Sequence, residues 1–101
     1  MRHQNTKCNC CECIWERILL CSKDKIVLTT IRGVQTTYKV ENELVIWQTI
    51  GPNQNVLYNQ SKKQICECLN ARNLNYGPSK YPGTATSYKW ALLNHPKIWI
   101  Q

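Results

Sequence analysis

Apolar positions at Ile14, Trp15, Ile18, Leu19 and Cys21 recur at three and four residues, a spacing that predicts two helical turns with one apolar side. Ser22-Lys23-Asp24-Lys25 ends that run. From Ile26 to Tyr58 the chain changes to β-branched and aromatic residues, divided by the turn signals Arg32-Gly33, Glu41-Asn42 and Gly51-Pro52-Asn53-Gln54-Asn55. Four strands are predicted, over 26–32, 34–40, 43–50 and 55–59. In the second, Val34, Thr36, Tyr38 and Val40 share one side while Gln35, Thr37 and Lys39 share the other, as in a half-buried antiparallel sheet. The third has little polar face and is expected at the centre of the sheet.

Helical signals return at Ser61-Lys62-Lys63-Gln64, a Ser-x-x-Gln capping box followed by Ile65, Cys68, Leu69 and Arg72 at helical spacing, which predicts a helix over 62–72. A turn-rich link, Asn73 to Gly83, leads to a second helix capped by Thr84 or Thr86. Tyr88, Ala91, Leu92 and His95 form its inner side, Trp90 and Leu93 flank it, and Pro96 stops it. Residues 97–101 read as a short terminal strand. Strands precede helices and do not alternate with them, so the predicted class is α+β. The expected architecture is a small antiparallel sheet followed by a helix pair, winged or sheet-backed and helix-turn-helix-like, behind a Cys-rich N-terminal segment. A chain of 101 residues holds one domain. Its parts are the Cys-rich segment 1–22, the strand-rich 26–59, and the helix pair with its terminal strand, 61–101.

Charge adds a direction to this outline. Lys plus Arg number 13 against 6 acidic residues, a net charge of +7, and such a field attracts phosphate backbones or acidic protein surfaces. The cations fall in two groups: Arg32 and Lys39 on the sheet, and Lys62, Lys63, Arg72, Lys80 and Lys89 around the helix pair. Two short helices with a basic link suit a DNA groove, one helix entering it while the other crosses the backbone. The aromatic residues are Trp and Tyr with no Phe, rings suited to half-exposed surfaces. Tyr38 and Trp47 would serve as stacking platforms in an RNA-binding sheet, and Trp47, Trp90 and Trp99 with a β edge would serve a protein interface.

Cys8-Asn9-Cys10-Cys11-Glu12-Cys13 contains two overlapping Cys-x-x-Cys pairs, 8 with 11 and 10 with 13, a spacing at which two thiolates chelate one tetrahedral ion. Zinc is the expected structural cofactor, with Cys8, Cys10, Cys11, Cys13 and Cys21 as candidate ligands and His3, Cys66 and Cys68 as further soft donors. Residues 1–7 lead into cysteines and not into an apolar leader, and no run reaches the roughly 20 apolar residues of a membrane span. An intracellular location, cytoplasm or nucleus, is therefore expected, with no membrane partner. In that setting seven cysteines favour metal binding or burial over disulfides. The acidic residues form no visible general acid and base pair, His95 fits a helix end, and there is no phosphate-cradling glycine loop or nucleophile elbow. An enzyme is not expected.

The stretch Lys63-Gln64-Ile65-Cys66-Glu67-Cys68-Leu69-Asn70-Ala71-Arg72-Asn73-Leu74, then Gly77, then Ser87 through Leu92-Leu93-Asn94-His95-Pro96, resembles the DNA-binding recombinase domain of large serine recombinases. In that family a helix ending in Leu-Asn-x-Arg precedes a glycine-containing link and a second helix ending near Asn-Pro. Asn73 stands where the family usually has glycine, and nothing here matches the nucleophilic catalytic domain. The resemblance thus implies DNA contact without recombination. The leading expectation is a small basic nucleic-acid-binding protein, DNA ahead of RNA, acting as a regulator from a virus or mobile element. The alternatives are a viral accessory factor that binds a host protein and an RNA-binding sheet module.

Overall fold

The computed structural model describes residues 8–52 and 55–100. The first apolar run forms α1 (Cys11–Cys21), which turns Ile14, Trp15, Ile18 and Cys21 inward and leaves Leu19 and Leu20 exposed. A 3₁₀ turn over Ser22–Asp24 and Lys25, in the left-handed region at φ 50°, reverse the chain toward the sheet.

The four predicted strands are present with shifted bounds: β1 (Leu28–Thr29) and β3 (Leu44–Gln48) are shorter than expected, while β2 (Gln35–Glu41) and β4 (Val56–Ser61) start one residue later and run one and two residues further. They form an antiparallel meander in sequence order, so β2 and β3 are both central. The first strand is short because Thr30 is drawn into a turn, where its N–H donates to Val34 O and its hydroxyl accepts from Val34 N. Pairing of Glu41 with Leu44 leaves Asn42 and Glu43 as a two-residue loop, both at positive φ (52° and 61°). That is the turn geometry whose twist matches the flanking strands.

One face of the sheet carries Thr36, Tyr38, Val45 and Trp47 into a core shared with Ile14, Ile18, Ile65, Leu92, Leu93 and Ile98. The Tyr38 hydroxyl donates to Ile18 O at 2.6 Å, pinning α1 across the sheet. Thr37 lies on the other face and is also buried, because the segment after α1 folds over it and accepts its hydroxyl hydrogen bond at Ile26 O (2.9 Å).

Ser61 caps α2 (Lys62–Cys66) through the complete capping box: Ser61 Oγ accepts from Gln64 N and Gln64 Oε1 accepts from Ser61 N. Ser61→Ala should cost about 1 kcal/mol, read as a lower denaturant midpoint with an unchanged slope. The single helix predicted over 62–72 is instead two, α2 and α3 (Leu69–Asn73). The cause is local: Cys68 N reaches Ile65 O, three residues back, so the turn tightens there while Cys68 stays buried.

The last helix, α4 (Thr86–Leu93), buries Lys89, Ala91, Leu92 and Leu93. Neither threonine caps it. Its N-cap is Ala85, in the left-handed region at φ 53°, and the Thr84 hydroxyl accepts from Gln60 Nε2 instead. The expected terminal strand is absent among the described residues, which continue past Pro96 as turns. Ile98 N and Trp99 N both donate to His95 O, and this curls Ile98 into the core. The class is α+β, with a four-stranded antiparallel sheet and a Cys-rich N-terminal cluster. No helix among the described residues is long and apolar enough to cross a membrane.

Candidate metal centre and basic surface

Cys8 and Asn9 lead into α1, and Cys10 is its N-cap. The segment is anchored by residues that the sequence reading passed over. Asn9 Nδ2 donates to Ile100 O (2.6 Å), Asn9 Oδ1 accepts from Ile100 N (3.1 Å) and from Arg17 Nη1 (2.7 Å). Arg17 also donates to Ile98 O and to Cys8 O. One guanidinium and one carboxamide thus tie the cysteine turn to the C-terminal turn. Their partners in the C-terminal turn lie more than eighty residues away in the chain, and no local pattern marks them.

Held in this way, the sulfur atoms of Cys8, Cys10 and Cys13 all lie within 4.8 Å of one another, with Cys8 Sγ and Cys10 Sγ 3.1 Å apart. In a tetrahedral zinc site with Zn–S bonds of about 2.3 Å, sulfurs stand about 3.8 Å apart, so small side-chain adjustments bring the three onto one ion. Their protonation differs. The backbone N–H of Cys13, followed by the Cys8 thiol, favours the Cys10 thiolate and lowers its pKa to about 7. Burial, reinforced by the neighbouring Cys8 and Cys10, pushes the Cys13 thiol up to about 12. Three soft donors, one of them readily ionised, suit a thiophilic cation.

Two candidate ligands fall outside this cluster. Cys11 is joined to Cys66 in a disulfide with a Cα–Cα separation of 5.5 Å, which corrects the expectation that the thiols are all reduced and bind metal or pack. The capped start of α2 lies beside the start of α1, where Lys62 Nζ also meets the Glu12 carboxylate at 2.7 Å, and a proximity across 55 residues has no local sequence signal. Cys21 is buried at the far end of α1 with its sulfur facing Lys97 O, and burial raises its pKa. Cys68 is likewise buried, facing Gln64 O and Pro82 O. His3 lies outside the described residues.

The basic surface differs from the expected one. Arg72 and Lys89 do not face solvent: Arg72 Nε donates to Leu93 O (3.0 Å) with its guanidinium 4.5 Å from the Trp99 ring centre, and Lys89, 1% exposed, donates to Pro82 O (2.7 Å). Long cationic side chains here serve as internal ties between α3, α4 and the link that precedes α4. Arg32, Lys63 and Lys80 are exposed, while Lys39 and Lys62 are paired at the surface with Glu41 and Glu12. Lys25 and Lys39, with Ser22, Thr37, Tyr38 and Gln48, line a cleft of about 120 Å³ between the turn after α1 and the sheet.

Trp47 and Tyr38 are fully enclosed, at 0% and 2% exposure, so neither is a platform for bases and Trp47 is not an interface residue. Both sit on the covered face of the sheet, where Trp47 packs against Tyr88. Trp90 is half-buried on a second cleft of about 220 Å³ with Val27, Thr29, Ala91, Asn94, His95 and Pro96, and Trp99 packs under Arg72. His95 Nδ1 accepts from Lys97 N (3.1 Å), and burial followed by the Lys97 charge lowers its pKa, which keeps the ring a neutral acceptor. Comparison of the chain with protein-family models, curated proteins and solved structures returned no match.

Proposed function

We propose that this chain is a nucleic-acid-binding domain whose N-terminal segment is fixed by a zinc ion on Cys8, Cys10 and Cys13. The observation that carries the metal half is the convergence of three sulfurs within 4.8 Å on a turn already latched by Asn9 and Arg17. Zinc bound there adds its binding free energy to the stability of that turn. The nucleic-acid half rests on charge: a net +7, with Lys23, Lys25, Arg32, Lys63, Lys80 and Lys97 exposed. Lys25 and Lys39 lie on one cleft of about 120 Å³, which brings two cations together on one concave surface. The Lys39–Glu41 and Lys62–Glu12 pairs are surface pairs worth about 0–1 kcal/mol, so phosphates compete for those lysines at little cost. We keep DNA ahead of RNA because the two rings expected as stacking platforms, Tyr38 and Trp47, are enclosed, although Tyr58 and Tyr76 present exposed rings. A second reading, a protein-binding module, is favoured by one feature, the half-buried Trp90 on a cleft of mixed polar and apolar lining.

Protein purified under mild reduction should carry one zinc per chain by elemental analysis, and Cys13→Ser should lose it. No zinc in the parent protein overturns the metal half. Zinc binding releases protons, because each sulfur must bind as thiolate, so affinity should fall as pH falls. Above about pH 7 the Cys10 proton is already gone; below it that proton must also be displaced. Chelator competition should therefore show the slope of log affinity against pH steepening by about one unit below that point. A slope that stays constant through this range contradicts a Cys10 ligand that ionises near pH 7.

A further inference from the structure

Cys8 Sγ and Cys10 Sγ are 3.1 Å apart, and a disulfide needs about 2.05 Å. Motion of about one ångström joins them. The backbone N–H of Cys10 already points at the Cys8 sulfur (3.5 Å), and the intervening Asn9 is fixed on both sides of its carboxamide, so the two thiols are held facing each other. Their exposure is graded. Cys10 is exposed, Cys8 is half-buried and Cys13 is 3% exposed, so a bulky reagent meets Cys10 first, with the Cys8 sulfur 3.1 Å from it. Cys11 and Cys66 are already joined, and Cys21 and Cys68 are buried elsewhere.

We infer that Cys8 and Cys10 are a thiol–disulfide exchange pair that reacts with small-molecule disulfides of the glutathione disulfide class. Cys10 is the attacking sulfur. Its thiolate attacks one sulfur of glutathione disulfide, the S–S bond breaks, and one glutathione leaves as thiolate from a mixed disulfide on Cys10. Cys8, as thiolate, then attacks the Cys10 sulfur and expels the second glutathione. The pair is oxidised by two electrons, glutathione disulfide is reduced to two glutathiones, and the two thiol protons end on those products. Closure removes two of the three converging sulfurs, so oxidation and metal binding exclude each other. That last consequence rests on the zinc reading; the exchange itself does not.

The test uses metal-stripped full-length chain treated with glutathione disulfide, then denatured and alkylated for mass spectrometry. The expected product has lost two hydrogens, retains no glutathione, and carries alkyl groups on Cys13, Cys21 and Cys68 but not on Cys8 or Cys10. Cys8→Ser should instead accumulate glutathione on Cys10, because the resolving sulfur is gone, and Cys10→Ser should leave Cys8 largely unmodified. A stable mixed disulfide on the unaltered chain, or closure onto Cys13, overturns the inference. Repeating the reaction on zinc-loaded chain separates the two readings. Exchange slowed at least about tenfold by zinc supports mutual exclusion. Exchange unaffected by zinc leaves the pair standing and contradicts the metal assignment.

Discussion

Replacing Arg72 and Lys89 together by alanine should lower stability by roughly 4–6 kcal/mol, a large share of the 5–15 kcal/mol that holds a domain of this size. Lys89 is enclosed by α4 and by the link ahead of it, where its ammonium is the donor to Pro82 O. The fit is close enough that a Cβ on Gly83 would stand 2.9 Å from Lys89 Nζ. Truncation leaves a void the length of the side chain and takes its ammonium donor from the part-buried Pro82 carbonyl, costs of about 2–5 and about 1 kcal/mol that overlap in part. Arg72 does the same for Leu93 O at the last turn of α4, and it also loses its stacking on Trp99. Denaturant unfolding followed by circular dichroism measures the sum, with Lys63→Ala and Lys80→Ala as exposed controls expected within about 0.5 kcal/mol of the parent. A double variant with an unshifted midpoint would show that these two cations are not structural ties.

Neutralising Lys25, Arg32, Lys39 and Lys63 with glutamine should leave the fold intact and weaken nucleic-acid binding to every sequence alike. Each phosphate contact contributes close to one unit of logarithmic salt slope, so losing three or four should flatten the slope by about three units. The drop in affinity near physiological salt should exceed about tenfold. These side chains are exposed or lie in exposed pairs, so substitution costs at most a few tenths of a kcal/mol each. Binding at full strength in the folded quadruple variant would exclude these four cations as phosphate contacts.

The α+β order, the four strands and the Ser61 capping box were legible from the chain because each depends on neighbours within a few residues. Period two marks a strand wherever it packs, and a Ser-x-x-Gln box closes on itself. The failures share a cause. Arg72 and Lys89 read as surface charge because composition cannot tell a solvated cation from one bonded to a main-chain carbonyl, and here Leu93 and Pro82 supply those carbonyls. Trp47 read as an interface ring because β3 is apolar on both faces, and only the packing of α1 and α4 decides which is covered. The cysteine run announced a thiolate cluster, yet which sulfurs converge was set at long range. Cys66 draws off Cys11 across 55 residues, and Arg17 with Asn9 orients Cys8 from the C-terminal turn.

Salt-dependent binding of a labelled duplex by the zinc-loaded chain tests the proposal of nucleic-acid recognition most directly. Between about 50 mM and about 200 mM monovalent salt, log affinity should fall linearly with log salt at a slope of about −3 to −4, and unrelated sequences should give the same slope. Binding that ignores salt, or no binding at the lowest salt, would contradict it.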